Sequence, residues 1–145
     1  MRALVGIVAG ASLLCACQQK PAEPVLEKAW ARLPAVAGRP GAAYFTLTGG
    51  RQADKVVQIS SSAAGRAELH ETVKQDGVNA MRPLGELALG VNESVVFAPG
   101  GKHVMLFDLA PTVKPGDRIP LVVTFASGKR VEAPAQVVGA GDPQP

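Results

Sequence analysis

Short apolar or alternating segments, separated by glycine and proline, run through most of this 145-residue chain. In residues 118–125, for example, every odd position is large and apolar, as expected of a β-strand with one buried face. Such segments predict nine strands and no helix longer than one turn, with only a short irregular segment in residues 85–90. The predicted strands are residues 29–33, 43–48, 55–60, 67–73, 78–83, 94–98, 103–109, 118–125 and 130–138.

The turns between these segments have recognisable chemistry. Asp76-Gly77 and Ser127-Gly128 suit two-residue hairpin loops, because glycine accepts a positive φ. Pro99-Gly100 and Pro115-Gly116 suit turns in which proline fixes φ and glycine follows. Seven to nine short strands within one domain predict an all-β fold, a Greek-key β-sandwich of cupredoxin-like or immunoglobulin-like type.

The N-terminal end differs from the rest of the chain. Residues 3–14 form an apolar run that suits the core of a signal peptide and is too short to span a bilayer as a helix. Leu14-Cys15-Ala16-Cys17 then resembles a bacterial lipobox, so Cys17 is predicted to be the lipidated first residue of the mature chain. Ordinary secretion, with cleavage at the same junction and a free cysteine, is the alternative.

These signals divide the chain into four parts. We predict a lipoprotein signal peptide at 1–16, a lipidated N-terminus and tether at 17–26, a β-sandwich domain at 27–138 and a flexible tail at 139–145. An acyl anchor would hold the protein in the periplasm, on the surface of a membrane. The outer membrane is the expected one.

Charge and composition exclude several classes of function. The 15 Lys and Arg residues against 12 Asp and Glu give a net charge of +3, and they are scattered, which argues against nucleic-acid binding. No nucleophile is placed with a histidine and an acid, so we expect no enzymatic activity. Residues 18–145 contain no cysteine, which excludes a blue-copper site there. We expect a monomer.

The histidines and methionines form one spaced set. The chain has two histidines and, after Met1, two methionines. Thioether sulfur and neutral imidazole favour Cu(I) over Zn²⁺ or Ca²⁺, so the set predicts a site for one Cu(I) per chain. The set is His70-X10-Met81-X21-His103-X-Met105.

Strand geometry would bring these four residues together. A two-residue loop at Asp76-Gly77 makes His70 and Met81 diagonal neighbours on one face of a hairpin. His103 and Met105 are two positions apart on one strand and therefore share a face as well. All four meet if the second strand lies beside the hairpin.

Each residue also has an ordinary alternative. A single strand histidine is usually a satisfied surface or core residue, and Met105 lies in an apolar segment and could be core. Trp30 is expected to pack over the core. Glu71 and Asp108 could orient the imidazoles, although exposed strand positions are the simpler interpretation.

The spaced set resembles the signature of the PCu(A)C family of periplasmic copper chaperones. The resemblance extends from about residue 27 to residue 138. Flanking segments that also resemble the family are 29–32 (AWAR), 41–45 (GAAYF), 67–71 (AELHE), 99–106 (PGGKHVML) and 116–121 (GDRIPL).

The resemblance implies a cupredoxin-like β-sandwich that binds Cu(I) through His70, Met81, His103 and Met105. It further implies delivery of copper to an apo-cytochrome oxidase subunit, often at a CuA centre, or exchange with a Sco-like chaperone. The tail lacks the His and Met residues with which some relatives bind more copper. Copper buffering or tolerance, and a lipid-anchored interaction module without metal, are the alternatives.

Overall fold

The computed structural model describes residues 20–145, so the predicted signal peptide and Cys17 lie outside the described residues. All nine predicted strands are confirmed, several with ends shifted by a few residues. The tenth, β6, lies where an irregular segment was expected. The strands are β1 (Val25–Arg32), β2 (Gly41–Thr48), β3 (Asp54–Ser60), β4 (Ala64–Gln75), β5 (Val78–Pro83), β6 (Leu87–Leu89), β7 (Ser94–Phe97), β8 (Lys102–Leu109), β9 (Arg118–Phe125) and β10 (Arg130–Val138).

The strands form one continuous sheet whose two halves enclose a shared apolar core. Its order is β5-β4-β8-β2-β1-β10-β9-β3-β6, and β7 pairs with β2. Within residues 20–145 the pairs are antiparallel except β1 with β10. Leu47, Leu106 and Leu121, from three different strands, are fully buried in this core. The predicted all-β fold is therefore confirmed, and no helix in the described range is long and apolar enough to cross a bilayer.

A bulge in β1 changes which side chains face the core. Lys28 has a φ of 54°, and the pairing with β2 shifts between Glu27 and Trp30. Trp30 therefore faces outward, where its ring centroid lies 4.4 Å from that of Tyr44. Trp30 is buried, as expected, but it belongs to this outer cluster and not to the main core.

Both ends of the described chain are held against the sandwich. β1 begins at Val25, two residues before the predicted domain boundary. At the other end, Nη1 of Arg32 donates to the carbonyl oxygens of Gly139, Ala140 and Asp142 at 3.3, 3.0 and 2.7 Å. The segment expected to be a flexible tail thus has a defined contact with β1.

Candidate metal centre

The β4–β5 hairpin has the loop and the register that the sequence predicts. Asp76 and Gly77 both have positive φ, 50° and 79°, which is the backbone signature of a type I′ turn. Met81 lies opposite Thr72, two positions along β4 from His70. The diagonal arrangement of His70 and Met81 is confirmed.

Strand β8 lies on the other side of β4 and completes the set. His103 is directly opposite His70, and Met105 is opposite Glu68. Because side chains of directly paired residues share a face and the face alternates along a strand, His70, Met81, His103 and Met105 all lie on one side of β5-β4-β8. This is the outer side of the sandwich, since the alternate positions enter the core.

The four side chains differ in exposure. His103 is only 3 % exposed, and the His70 side chain only 12 %. Met105 is half-buried, whereas Met81 is 63 % exposed. Met81, His103 and Met105 line a cleft of about 260 Å³. His70 does not line the cleft and lies beside it, with its ring centroid 6.0 Å from that of His103.

The backbone fixes the proton of His103. Its Nδ1 lies 3.0 Å from the carbonyl oxygen of Gly101. A carbonyl oxygen can only accept, so Nδ1 carries the hydrogen and Nε2 keeps the lone pair. The same Gly101 oxygen accepts a hydrogen bond from Thr72 N at 3.1 Å, which ties the turn before β8 to β4.

A carboxylate fixes the proton of His70 in the opposite sense. Its Nε2 lies 3.1 Å from Oε2 of Glu68. Because the carboxylate accepts, Nε2 carries the hydrogen and the lone pair is on Nδ1. Glu68 is not among the residues predicted from the sequence, although the two-residue period of a strand places it on the same face as His70.

The two lone pairs are buried without hydrogen-bond partners. In residues 20–145, three buried side-chain polar atoms lack a partner, and two of them are Nδ1 of His70 and Nε2 of His103. A buried polar atom left unpaired costs about 1–3 kcal/mol. Two neutral imidazole nitrogens beside two thioethers fit a soft metal ion, which would satisfy both atoms.

The two acids considered for orienting the imidazoles do not do so in the described structure. Glu71 accepts hydrogen bonds from Arg82 at 3.1 Å and Lys102 at 3.3 Å. These bonds hold the pKa of Glu71 below its usual value, and the bond from Arg82 contributes most. Asp108 is exposed near the end of β8. Glu71 instead links β4 to β5 and β8 across the sheet.

The similarity of this chain to known proteins extends over nearly all of the described strands. A family model described as "Putative lipoprotein LpqE-like" matches residues 25–137. "Putative lipoprotein Lxx21020" of Leifsonia xyli subsp. xyli is 30 % identical over 130 residues, which cover 86 % of this chain and 78 % of that protein. "Uncharacterized protein RP573" of Rickettsia prowazekii (strain Madrid E) is 35 % identical over 86 residues, 58 % of this chain and about half of that protein (48 %).

Solved structures share the fold. The structure titled "Copper-bound PCuAC domain from PmoF2" has a TM-score of 0.66 at 19 % identity and covers 81 % of this chain and 93 % of its own. The structure titled "Solution structure of CuI-DR1885 from Deinococcus Radiodurans" has a TM-score of 0.59 at 26 % identity and covers 78 % of each chain. The fold is therefore the cupredoxin-like or immunoglobulin-like β-sandwich predicted from the sequence.

Proposed function

Because this chain belongs to the LpqE-like family of lipoproteins, which is the PCu(A)C family, we propose that it is an extracytoplasmic copper chaperone. It binds one Cu(I) through His70, Met81, His103 and Met105. One observation carries the proposal: β5, β4 and β8 place these residues on one face, with two buried imidazole nitrogens that have no partner in residues 20–145.

The proposed donor set supports Cu(I) as the cargo. Two imidazoles and two thioethers are uncharged and soft or borderline, a combination that prefers Cu(I). Thioethers also form no disulfides, whereas thiols outside the cytoplasm are captured in them. Two structural neighbours, one copper-bound and one CuI-bound, support the same cargo.

The difference in exposure indicates the side from which copper is released. Met81 is 63 % exposed and His103 only 3 %, so an acceptor's ligand reaches the metal from the Met81 side. Copper leaves by stepwise ligand exchange in which Met81 is replaced first. The protein acts as a carrier and not as an enzyme.

The proposed setting is the periplasm, with the chain anchored to a membrane through Cys17. The lipobox-like sequence and the lipoprotein names of the family and of the Leifsonia relative support an anchor. The outer membrane stays a prediction from the sequence. The proposed acceptor is an apo-cytochrome oxidase subunit with a CuA-type centre, or a Sco-like chaperone that precedes it.

A Cu(I) titration against a competing chromophoric chelator tests the site. The full chain is kept in detergent and carries Cys15→Ser and Cys17→Ser, so that no thiol competes. We expect one tightly bound equivalent, lost in a His70→Ala/Met81→Leu variant and retained in a Val78→Leu control on the same hairpin. A folded parent chain that binds no Cu(I) would refute the proposal and favour an interaction module without metal.

Delivery is tested separately, in cells that lack the protein. We expect oxidase activity to fall when copper is scarce and to recover when copper is added or the parent chain is restored. Sensitivity only to excess copper, with normal oxidase, would indicate buffering or tolerance in place of delivery.

A further inference from the structure

The two histidines of the proposed site present different ring nitrogens. His103 donates from Nδ1 to the Gly101 carbonyl, whereas His70 donates from Nε2 to Glu68. The lone pairs are therefore on Nε2 of His103 and on Nδ1 of His70. Both of these atoms are buried, and neither has a hydrogen-bond partner in the described residues.

Glu68 is itself held in place by a second side chain. Its Oε1 lies 3.2 Å from Nη1 of Arg66, while Oε2 faces His70. The Arg66 guanidinium carbon lies 4.2 Å from the ring centroid of Phe107, the residue paired with Arg66 across β4 and β8. Each oxygen of the carboxylate thus has its own partner, which restricts rotation of Glu68 away from His70.

We propose that Glu68 is the positioning residue of His70 and makes Nδ1 the nitrogen that binds Cu(I), whereas His103 binds through Nε2. This inference rests on the proposed function. A carboxylate only accepts hydrogen bonds, so Glu68 keeps the proton on Nε2 and leaves Nδ1 free for the metal. A carboxylate behind a metal-binding histidine also fixes the ring orientation and increases its basicity.

The place of Glu68 in the sheet suits this role. It is two residues before His70 on the same face of β4 and directly opposite Met105. Its negative charge would therefore lie near a Cu(I) ion held by the four residues. These ligands are neutral and do not compensate the charge of the ion. Glu71, on the opposite face of β4, is paired with Arg82 and Lys102.

The proposal is tested by long-range ¹H–¹⁵N NMR on the labelled full chain with both cysteines changed to serine, in detergent. Before Cu(I) is added, we expect His70 to show a protonated Nε2 and His103 a protonated Nδ1. Added Cu(I) should shift Nδ1 of His70 and Nε2 of His103. These signals report the tautomer directly. If the role of Glu68 were purely structural, replacing Glu68 would leave the His70 tautomer unchanged.

Three variants separate positioning from general effects. Glu68→Leu should allow both tautomers of His70 and weaken Cu(I) binding by about 10–100-fold. Glu68→Asp keeps a carboxylate that only accepts hydrogen bonds, on a shorter side chain, and should retain the tautomer of His70 with a smaller loss of affinity. Glu132→Leu, at an exposed acid on β10, should change neither.

Two results would overturn the inference while leaving the proposed function intact. One is a Cu(I)-loaded chain in which Nδ1 of His70 carries the proton, so that Cu(I) is bound at Nε2, and the other is an unchanged His70 tautomer in Glu68→Leu. A parent chain whose histidine signals do not respond to Cu(I) would overturn both proposals.

Discussion

At the scale of single residues, the proposed site combines rigid and accessible side chains. His103 is buried and hydrogen-bonded to the backbone of Gly101, so its position is set by the fold. Met81 is mostly exposed, and its flexible thioether can move between the cargo and an incoming acceptor. The proposed carrier function needs both properties, because a carrier first holds its metal ion and then releases it.

Replacing Met81 by leucine tests this division. The change removes the sulfur and keeps an apolar side chain at an exposed position, so we expect a large loss of Cu(I) affinity and a change in unfolding free energy of no more than about 0.5 kcal/mol. Chelator competition and urea unfolding measure the two quantities. Loss of the fold as well would mean that Met81 is structural.

Asp54 gives a prediction away from the site. It accepts hydrogen bonds from the Ser127 hydroxyl and from the Lys55 and Ser127 amides, and the bond from the hydroxyl contributes most to a lowered pKa of Asp54. A lowered folded-state pKa stabilises the fold above the unfolded pKa, and this contribution is lost as pH falls through the folded value.

Carboxyl NMR titration of the parent chain and of Ser127→Ala measures the effect. We expect the pKa of Asp54 to rise toward its ordinary value in the variant. The decrease in the free energy of unfolding at acidic pH should then depend less on Asp54. An identical Asp54 titration in both chains would contradict this assignment.

At the scale of elements, the β4–β5 hairpin controls half of the site. Its type I′ loop determines that Met81 lies opposite Thr72 and therefore on the face of His70. A shift of register by one residue would move Met81 to the other face. Glu71 adds to this register by pairing with Arg82 on β5 and Lys102 on β8.

Gly77→Ala tests the dependence of the site on this loop. The φ of Gly77 is 79° and an added Cβ meets no neighbour, so the cost is backbone strain of about 1–2 kcal/mol. We expect lower stability together with weaker Cu(I) binding. Gly128→Ala, at φ 87° in another open turn, is the matched control and should cost similar stability without weakening binding. Equal losses of affinity in both variants would show that Cu(I) binding does not depend specifically on the Asp76-Gly77 loop.

At the scale of the whole molecule, one core supports a site on its outer surface. β4 and β8 point alternate side chains into the core and toward the proposed site. Leu69, next to His70, and Val104, between His103 and Met105, are buried in the core and hold these strands in place. β9 and β10 complete the core from the other half of the sheet. Stability and the proposed copper binding therefore depend on different faces of the same strands.

Leu121→Ala tests this separation. Leu121 is fully buried on β9, and such a truncation costs about 2–5 kcal/mol. We expect a lower midpoint of urea unfolding, while the fraction that stays folded keeps the parent Cu(I) affinity. A weaker Cu(I) affinity in fully folded protein would show that packing in the core affects the geometry of the site.

The sequence by itself determined the features that depend on near neighbours. Alternation and turn residues predicted nine of the ten strands, and the Asp76-Gly77 loop predicted the register of the hairpin. The spacing of the set predicted two ligand pairs, because one turn or one strand separates the members of each. The three-residue β6 was missed because Leu87–Leu89 is too short to show a period.

Tertiary structure alone decided how the two pairs meet. His70 and His103 are far apart in the chain, and no local pattern specifies that β8 lies beside β4. The same holds for the bulge at Lys28, which turns Trp30 away from the core, and for the packing of Arg66 against Phe107 of β8. Such contacts arise from the burial of the whole sheet, which selects one arrangement of strands among many with the same local preferences.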